Sequence, residues 1–354
     1  MPAWQAVIYG SDDRSEVYEY DRGDWARNVA TSSIVALGRL SELAPSADGI
    51  VLAVPTAGER FALCPEERFS DQPAFADCTG VALTPDLVLT AAHCLRSGPL
   101  SELVALSGYY YEQPGQLASI AEASAHAIGA IVYEDAELGY AWLRLEHGGA
   151  FGPLGFQRAP VLRAMPIVSV NHGASLPAKI DKGGKAFPIG DQAFLATTDA
   201  FGGASGGPLF SLSGDLLGIL ISGSADYRMT SRGCRVAAQL PDEEASANEF
   251  AVHIEVAVKG LCAHHPDPAI CTVDTTDVPS GPTCALRRRL TSGSSAGWMI
   301  GMASLGSIWF RRRHAQKRAL FRATVGLHRS RNGVTKSTEP SRLGRSSRER
   351  DLKM

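Results

Sequence analysis

The chain has 354 residues, enough for one large or two small domains with a sizeable core, and a formal net charge of −3. That balance hides an asymmetry: residues 1–284 carry a net −17 and residues 285–354 a net +14. An acidic body with a basic tail excludes a protein that is basic throughout and coats nucleic acid, so no nucleic-acid partner is expected.

Residues 1–31 read as an N-terminal leader segment. Met1–Gly10 has neither a basic start nor a long apolar run, so it is no secretory signal. Either the true start lies upstream or export takes another route, and the first is the expectation. From about Ser32 to Val258, short apolar runs are broken by Gly, Pro, Asn and Asp. Ile50–Val54, Val81–Leu83, Leu87–Ala92, Ala141–Leu145, Ile167–Val170, Leu216–Ile221 and Phe250–Val256 are the clearest. Many short strands at turn-punctuated spacing predict an all-β sandwich or barrel over 32–262. The stretch Glu249–Lys259 is compatible with either a strand or a C-terminal helix.

Residues 263–289 read as a linker, and Leu290–Phe310 contains no charged residue. As a helix that segment would span roughly 32 Å, the thickness of a hydrocarbon core. It is therefore a candidate transmembrane or sorting segment, with a loose surface helix as the alternative. Arg311, Arg312, Arg313, Lys317 and Arg318 follow it, and the positive-inside bias puts the basic, disordered tail 311–354 in the cytoplasm and the acidic body outside. The seven cysteines, at 64, 78, 94, 234, 262, 271 and 284, include no Cys-x-x-Cys pair. They suit an oxidised, exported protein, extracellular or on the cell surface, rather than a zinc site. No metal and no cofactor are expected.

Two segments carry chemistry. One runs from Cys78-Thr-Gly-Val to Thr90-Ala-Ala-His93-Cys94. The other is Asp199-Ala-Phe-Gly-Gly203-Ala204-Ser205-Gly-Gly-Pro208. A serine becomes a good nucleophile when an imidazole takes its proton. Glycines around it let successive N–H groups converge on a developing oxyanion.

Thr-Ala-Ala-His-Cys and Gly-x-Ser-Gly-Gly-Pro, in this order, resemble the trypsin-like (chymotrypsin-fold) serine peptidases. Val7–Arg14 with Glu16–Glu19, and Cys64–Phe69 with Gln72-Pro73, resemble the bacterial branch near the glutamyl endopeptidases. The resemblance implies two packed six-stranded antiparallel β-barrels with the site in the cleft between them. It implies an endopeptidase acting on protein or peptide substrates, with Ser205 as nucleophile and His93 as general base. It also implies an oxyanion hole from the Gly203 and Ser205 N–H groups and a Cys78–Cys94 disulfide.

The family's third member, an aspartate, is absent: the segment Glu137-Leu-Gly-Tyr-Ala-Trp-Leu-Arg-Leu145 has Gly139 there. In chymotrypsin-type enzymes the loss of that group costs about 10⁴ in turnover. Asp135 and Glu137 are the candidates to replace it, and a catalytically impaired homologue that binds peptides is the alternative. Ala204 stands where animal trypsins receive a new N-terminal ammonium, so that mode of activation is not implied. Asp199 occupies the place of trypsin's pocket acid, where a preference for Arg or Lys is conceivable, but the bacterial branch often carries Asp there without a clear trypsin-like preference. The strand after the nucleophile holds no histidine, which argues against glutamate preference. Gly223 is placed to contact the substrate backbone. Cys284, the apolar segment and Arg311–Arg313 resemble the sorting tails of myxobacterial surface proteins, which implies membrane anchoring. If Cys64 pairs with Cys234 and Cys262 with Cys271, Cys284 is the odd one out.

Overall fold

A computed structural model describes residues 8–265 and 269–271, apart from 97, 153, 157–159 and 224. The chain divides between Pro279 and Ser280. The segment 290–310, the tail 311–354 and Cys284 all lie outside the described residues. Among the described residues no helix is long and apolar enough to cross a membrane.

Twelve strands build two closed six-stranded antiparallel barrels. The first contains β1 (Ile34–Arg39), β2 (Cys78–Ala82), β3 (Leu87–Ala91), β4 (Leu103–Ser107), β5 (Ala125–Asp135) and β6 (Tyr140–Leu145), in the ring order 5-6-3-2-1-4. The second contains β7 (Met165–Asn171), β8 (Lys185–Pro188), β9 (Ala193–Ala196), β10 (Pro208–Ser211), β11 (Leu216–Ser222) and β12 (Glu249–His253), in the order 8-9-12-11-10-7. The β7–β8 pairing through Met165 and Ala186 closes that ring. Closure removes the exposed edges that such short strands would otherwise present. Most of the apolar runs read from the sequence fall on these strands because their alternate residues fill the barrel interiors; Ile50–Val54 instead falls on a separate two-stranded hairpin, Leu43–Ser46 with Gly49–Leu52.

The ambiguous stretch before Cys262 proves to be both elements in succession. β12 ends at His253, and a helix, Ile254–His264, follows at once. Its Ile254, Ala257, Val258 and Leu261 are buried at helical spacing. The indole N–H of fully buried Trp142, on β6, donates to the Ala257 carbonyl at 3.0 Å, which ties the helix to the first barrel. Cys262–Cys271 closes the far end of this helix, and Cys64–Cys234 and Cys78–Cys94 are also bonded.

The N-terminal segment is built into the body. Ile8–Tyr9 pairs in parallel with Gln239–Leu240, and Arg14–Glu16 adds an outer strand to Lys179–Asp181, itself hydrogen-bonded to β7. A buried ion pair, Glu16 Oε2 to Lys179 Nζ at 3.2 Å, fastens that strand.

The barrels are joined at Thr79 on β2. Its Oγ1 donates to the Gly203 carbonyl at 2.7 Å and accepts the His172 N–H at 3.0 Å. Its N–H donates to the Ser205 carbonyl at 2.9 Å. Thr79 is completely buried, so losing its hydroxyl would strand a donor and an acceptor away from water. Thr79→Val, equal in shape, is expected to cost on the order of 2–4 kcal/mol, measured by urea unfolding. Thr79→Ser, which keeps the hydroxyl, should recover most of that loss.

Candidate functional site

His93 and Ser205 are carried by different barrels, and the Cys78–Cys94 disulfide lies between their backbones. β3 ends at Ala91, and a 3-10 turn over Ala92–Arg96 presents His93 at the surface. A ring nitrogen of His93 lies within 4.8 Å of both disulfide sulfurs. Cys94 Sγ in turn lies 3.9 Å from the Ser205 carbonyl oxygen, so His93 and Ser205 flank the same sulfur. The sulfurs are bonded to each other, so this trio has no thiolate for a metal.

Ser205 is half-buried on the turn between Phe201 and β10. Gly203 has φ +103°, and a Cβ there would meet the His172 carbonyl oxygen at 2.6 Å, which only glycine avoids. The Ala204 N–H donates to Phe201, the Gly206 N–H to Leu220 and the Gly207 N–H to Ala204. The N–H groups of Gly203 and Ser205 donate to no acceptor among the described residues. Two unpaired N–H groups flanking a paired one are the arrangement that receives an oxyanion. No hydrogen bond joins the Ser205 hydroxyl to the His93 ring; such bonds often tighten only when substrate is bound.

Among the described residues no carboxylate bonds the His93 ring. Desolvation first, and the neighbouring Arg96 charge second, hold the His93 pKa below the ordinary histidine value, and no acid opposes them. Asp135 Oδ1 accepts the Glu137 and Leu138 N–H groups at 3.0 and 2.9 Å, capping the turn that leads into β6. Glu137 is exposed, and neither acid bonds His93. Gly139 adjoins the histidine turn, its carbonyl accepting the Ala92 N–H at 2.7 Å. It has φ +81°, and a Cβ there would stand 2.9 Å from Ile221 Cγ2. Ile221 is buried on β11. An isoleucine therefore occupies the space into which a side chain at position 139 would point. The sequence signal for it was only another apolar residue in the run 216–221.

Asp199 is buried, and both its oxygens are engaged by the N-terminal segment. Oδ1 accepts the Tyr9 N–H at 2.8 Å and Oδ2 the Asp13 N–H at 2.9 Å. Burial first, then the Asp181 charge, push its pKa up to about 8. Asp181 is also buried and accepts the Thr198 hydroxyl and the Asp199 N–H. Arg14 lies alongside, its guanidinium 4.1 Å above the Phe201 ring and bonded to Asp12. Gly223 is exposed just beyond β11. Glu249, buried at the head of β12, accepts the Tyr9 hydroxyl at 3.2 Å. Glu249 belongs to no motif in the sequence, and Tyr9 belongs only to the N-terminal segment 7–14; the strand pairings bring the two together.

Residues 78–219 match the family profile described as "Trypsin-like peptidase domain", a stretch that contains both His93 and Ser205. Among solved structures, the chain is similar to the active form of the Rv3671c protease from M. tuberculosis, at 16% identity over 73% of this chain and 93% of that one, TM-score 0.41. It is likewise similar to the Vibrio cholerae VesB protease, at 16% identity over 73% of this chain and 67% of that one, TM-score 0.43. No curated protein sequence matches it.

A carboxylic acid whose folded pKa is raised binds a proton in the native state that the unfolded chain has already lost. Its stabilisation is complete below the unfolded aspartate value and declines as pH rises through the folded value. The wild type should therefore lose stability as pH climbs from about 4 to about 8. Asp199→Asn should flatten that decline in thermal melts taken across the range.

Proposed function

We propose that the chain is a serine endopeptidase that cleaves peptide bonds in proteins through an acyl-enzyme on Ser205. His93 takes the Ser205 proton as general base and returns it to the leaving amine as general acid. The Gly203 and Ser205 N–H groups hold the oxyanion of the tetrahedral intermediate. The observation that carries this reading is that pair of unpaired N–H groups beside an accessible serine, on a loop tied through Thr79 and Cys78–Cys94 to the histidine turn. The family match over 78–219 supports it. Three disulfides support an exported protein working in an oxidising compartment.

Without a carboxylate, His93 has nothing to hold its tautomer or stabilise its protonated form. The expected rate is therefore about 10⁴ below that of a complete triad. That same observation, Gly139 backed by Ile221, favours a second reading: a protease-fold protein that binds peptides and scarcely cuts them.

Labelling of folded protein with a fluorophosphonate probe separates the two, because it reports an activated serine. Slow labelling that disappears in Ser205→Ala and in His93→Ala is expected, and its absence in the wild type would sink the peptidase reading.

Restoring the acid should need two changes. Gly139→Asp alone forces a side chain into a left-handed backbone against Ile221, so the labelling rate should stay near that of the wild type. Gly139→Asp with Ile221→Ala opens the space and should raise the rate on the order of 10²-fold. Equal rates for the single and double variants would show that Ile221 does not block the acid position.

A further inference from the structure

The Gly203 N–H is aimed from outside both catalytic motifs. It shares one planar peptide with the Gly202 carbonyl, and the two groups point in opposite directions. The Ala174 N–H donates to that carbonyl at 2.8 Å, which holds the Gly203 N–H on the opposite side. Rotating the peptide by half a turn would break this bond and reverse the N–H. Gly203 also rests directly on the segment that carries Ala174: a Cβ there would stand 3.0 Å from the Ser175 nitrogen.

That segment, the turn after β7, is strained. Ala174 and Ser175, neither of them glycine, both have left-handed backbones, with φ +59° and +62°. Such residues persist only where their surroundings over-determine them, and strain of this kind gathers at functional sites. The Ser175 carbonyl accepts the Phe75 and Ala76 N–H groups at 2.9 and 3.2 Å. The hydroxyl of Tyr109, just past β4, lies 3.2 Å from the same carbonyl and 2.5 Å from that of Pro73, and it accepts the Phe75 N–H at 3.3 Å. The Tyr109 ring stacks on His172 at the start of the turn, with 5.5 Å between centroids. Its backbone carbonyl accepts the Ala178 N–H at 2.8 Å, beyond the end of the turn. Tyr109, His172, Ala174 and Ser175 are all buried. Burial raises the Tyr109 pKa far above its ordinary value, so the hydroxyl keeps its proton.

We propose that Tyr109 is a positioning residue: it locks the left-handed turn at Ala174 and Ser175, and that turn fixes the 202–203 peptide with its N–H directed to receive the oxyanion. The assignment rests on the oxyanion hole of the preceding reading. Tyr109 acts through Ser175 and Ala174, not on the reacting atoms. Without its hydroxyl the strained turn is free to relax, the Ala174 N–H leaves the Gly202 carbonyl, and the peptide samples both orientations. A donor that is held in place before charge develops stabilises that charge without reorganising, which a freely rotating one does not.

Nuclear magnetic resonance of the full chain reads this peptide without turnover. With glycine labelled by carbon-13 at the carbonyl and by nitrogen-15, only the Gly-Gly peptides at 148–149, 183–184, 202–203 and 206–207 give a coupled signal. Gly202→Ala deletes, and so identifies, the 202–203 signal. In Tyr109→Phe that signal should shift or double while the 148–149 and 183–184 signals stay in place, which verifies the fold. Fluorophosphonate labelling of Ser205 should slow about tenfold, less than the loss from deleting an oxyanion donor outright. Adding Ala174→Gly, which takes the left-handed backbone without strain, should restore the signal and bring labelling to within about threefold of the wild type. A tyrosine that contributed only to overall stability would leave the native 202–203 signal where it is. An unmoved signal in Tyr109→Phe, an unchanged labelling rate, or no rescue by Ala174→Gly overturns the assignment and leaves the peptidase reading standing. If the wild type is not labelled, the peptidase reading fails by itself and the signal decides: moved and rescued supports the positioning role, unmoved overturns it.

Discussion

The hydroxyl of Thr79 is the point on which the two barrels and the site depend together. It sits on the first barrel, donates to Gly203 and accepts from His172 of the second, while its backbone N–H holds Ser205. Its own carbonyl accepts the Thr90 hydroxyl on the neighbouring strand at 2.7 Å, so the bridge is anchored in the barrel wall. A buried residue with every polar group paired in this way sets one relative placement of its neighbours, because any shift would leave a group unpaired away from water. The Ser205 turn is thereby set against the strands that lead to His93, and the Cys78–Cys94 disulfide braces the same junction covalently.

Around that junction the chemistry is uneven. On the Ser205 side the backbone is arranged to receive negative charge. On the far side of His93 the arrangement is apolar: Gly139 offers no side chain, and Ile221 takes up the space beside it. The two positions constrain each other. A larger residue at 139 meets Ile221, and the left-handed backbone at 139 favours glycine in any case. The absence of a side chain at 139 is thus matched by the packing of Ile221 against it.

The N-terminal segment supplies what the two motifs do not. Through Tyr9 and Asp13 it binds Asp199, through the Tyr9 hydroxyl it reaches Glu249, and through Arg14 it covers the Phe201 ring. Glu16 and Lys179 anchor it as an added strand. A segment that reads as a leader along the chain is, in space, bound into the second barrel.

The alternation of short apolar runs and turn residues was enough to define an all-β body, because period-two burial is a local property that each strand writes into its own residues. His93, Ser205 and their glycines were legible for a similar reason: each motif is contiguous, and the spacing along the chain carries the local geometry. The succession of β12 and helix between Glu249 and His264 was not, since both elements present apolar residues and only packing against Trp142 separates them. By itself the sequence determined the strand content, the two segments around His93 and Ser205, the glycine at 139 and the net charges of −17 and +14 on the two parts of the chain. Only the tertiary structure decided that Ile221 stands against Gly139, that Asp199 is bound by Tyr9 and Asp13, and that Glu249 faces Gly223. Those relations join residues far apart in the chain, and barrel closure, which no local pattern encodes, is what brings them within reach of one another.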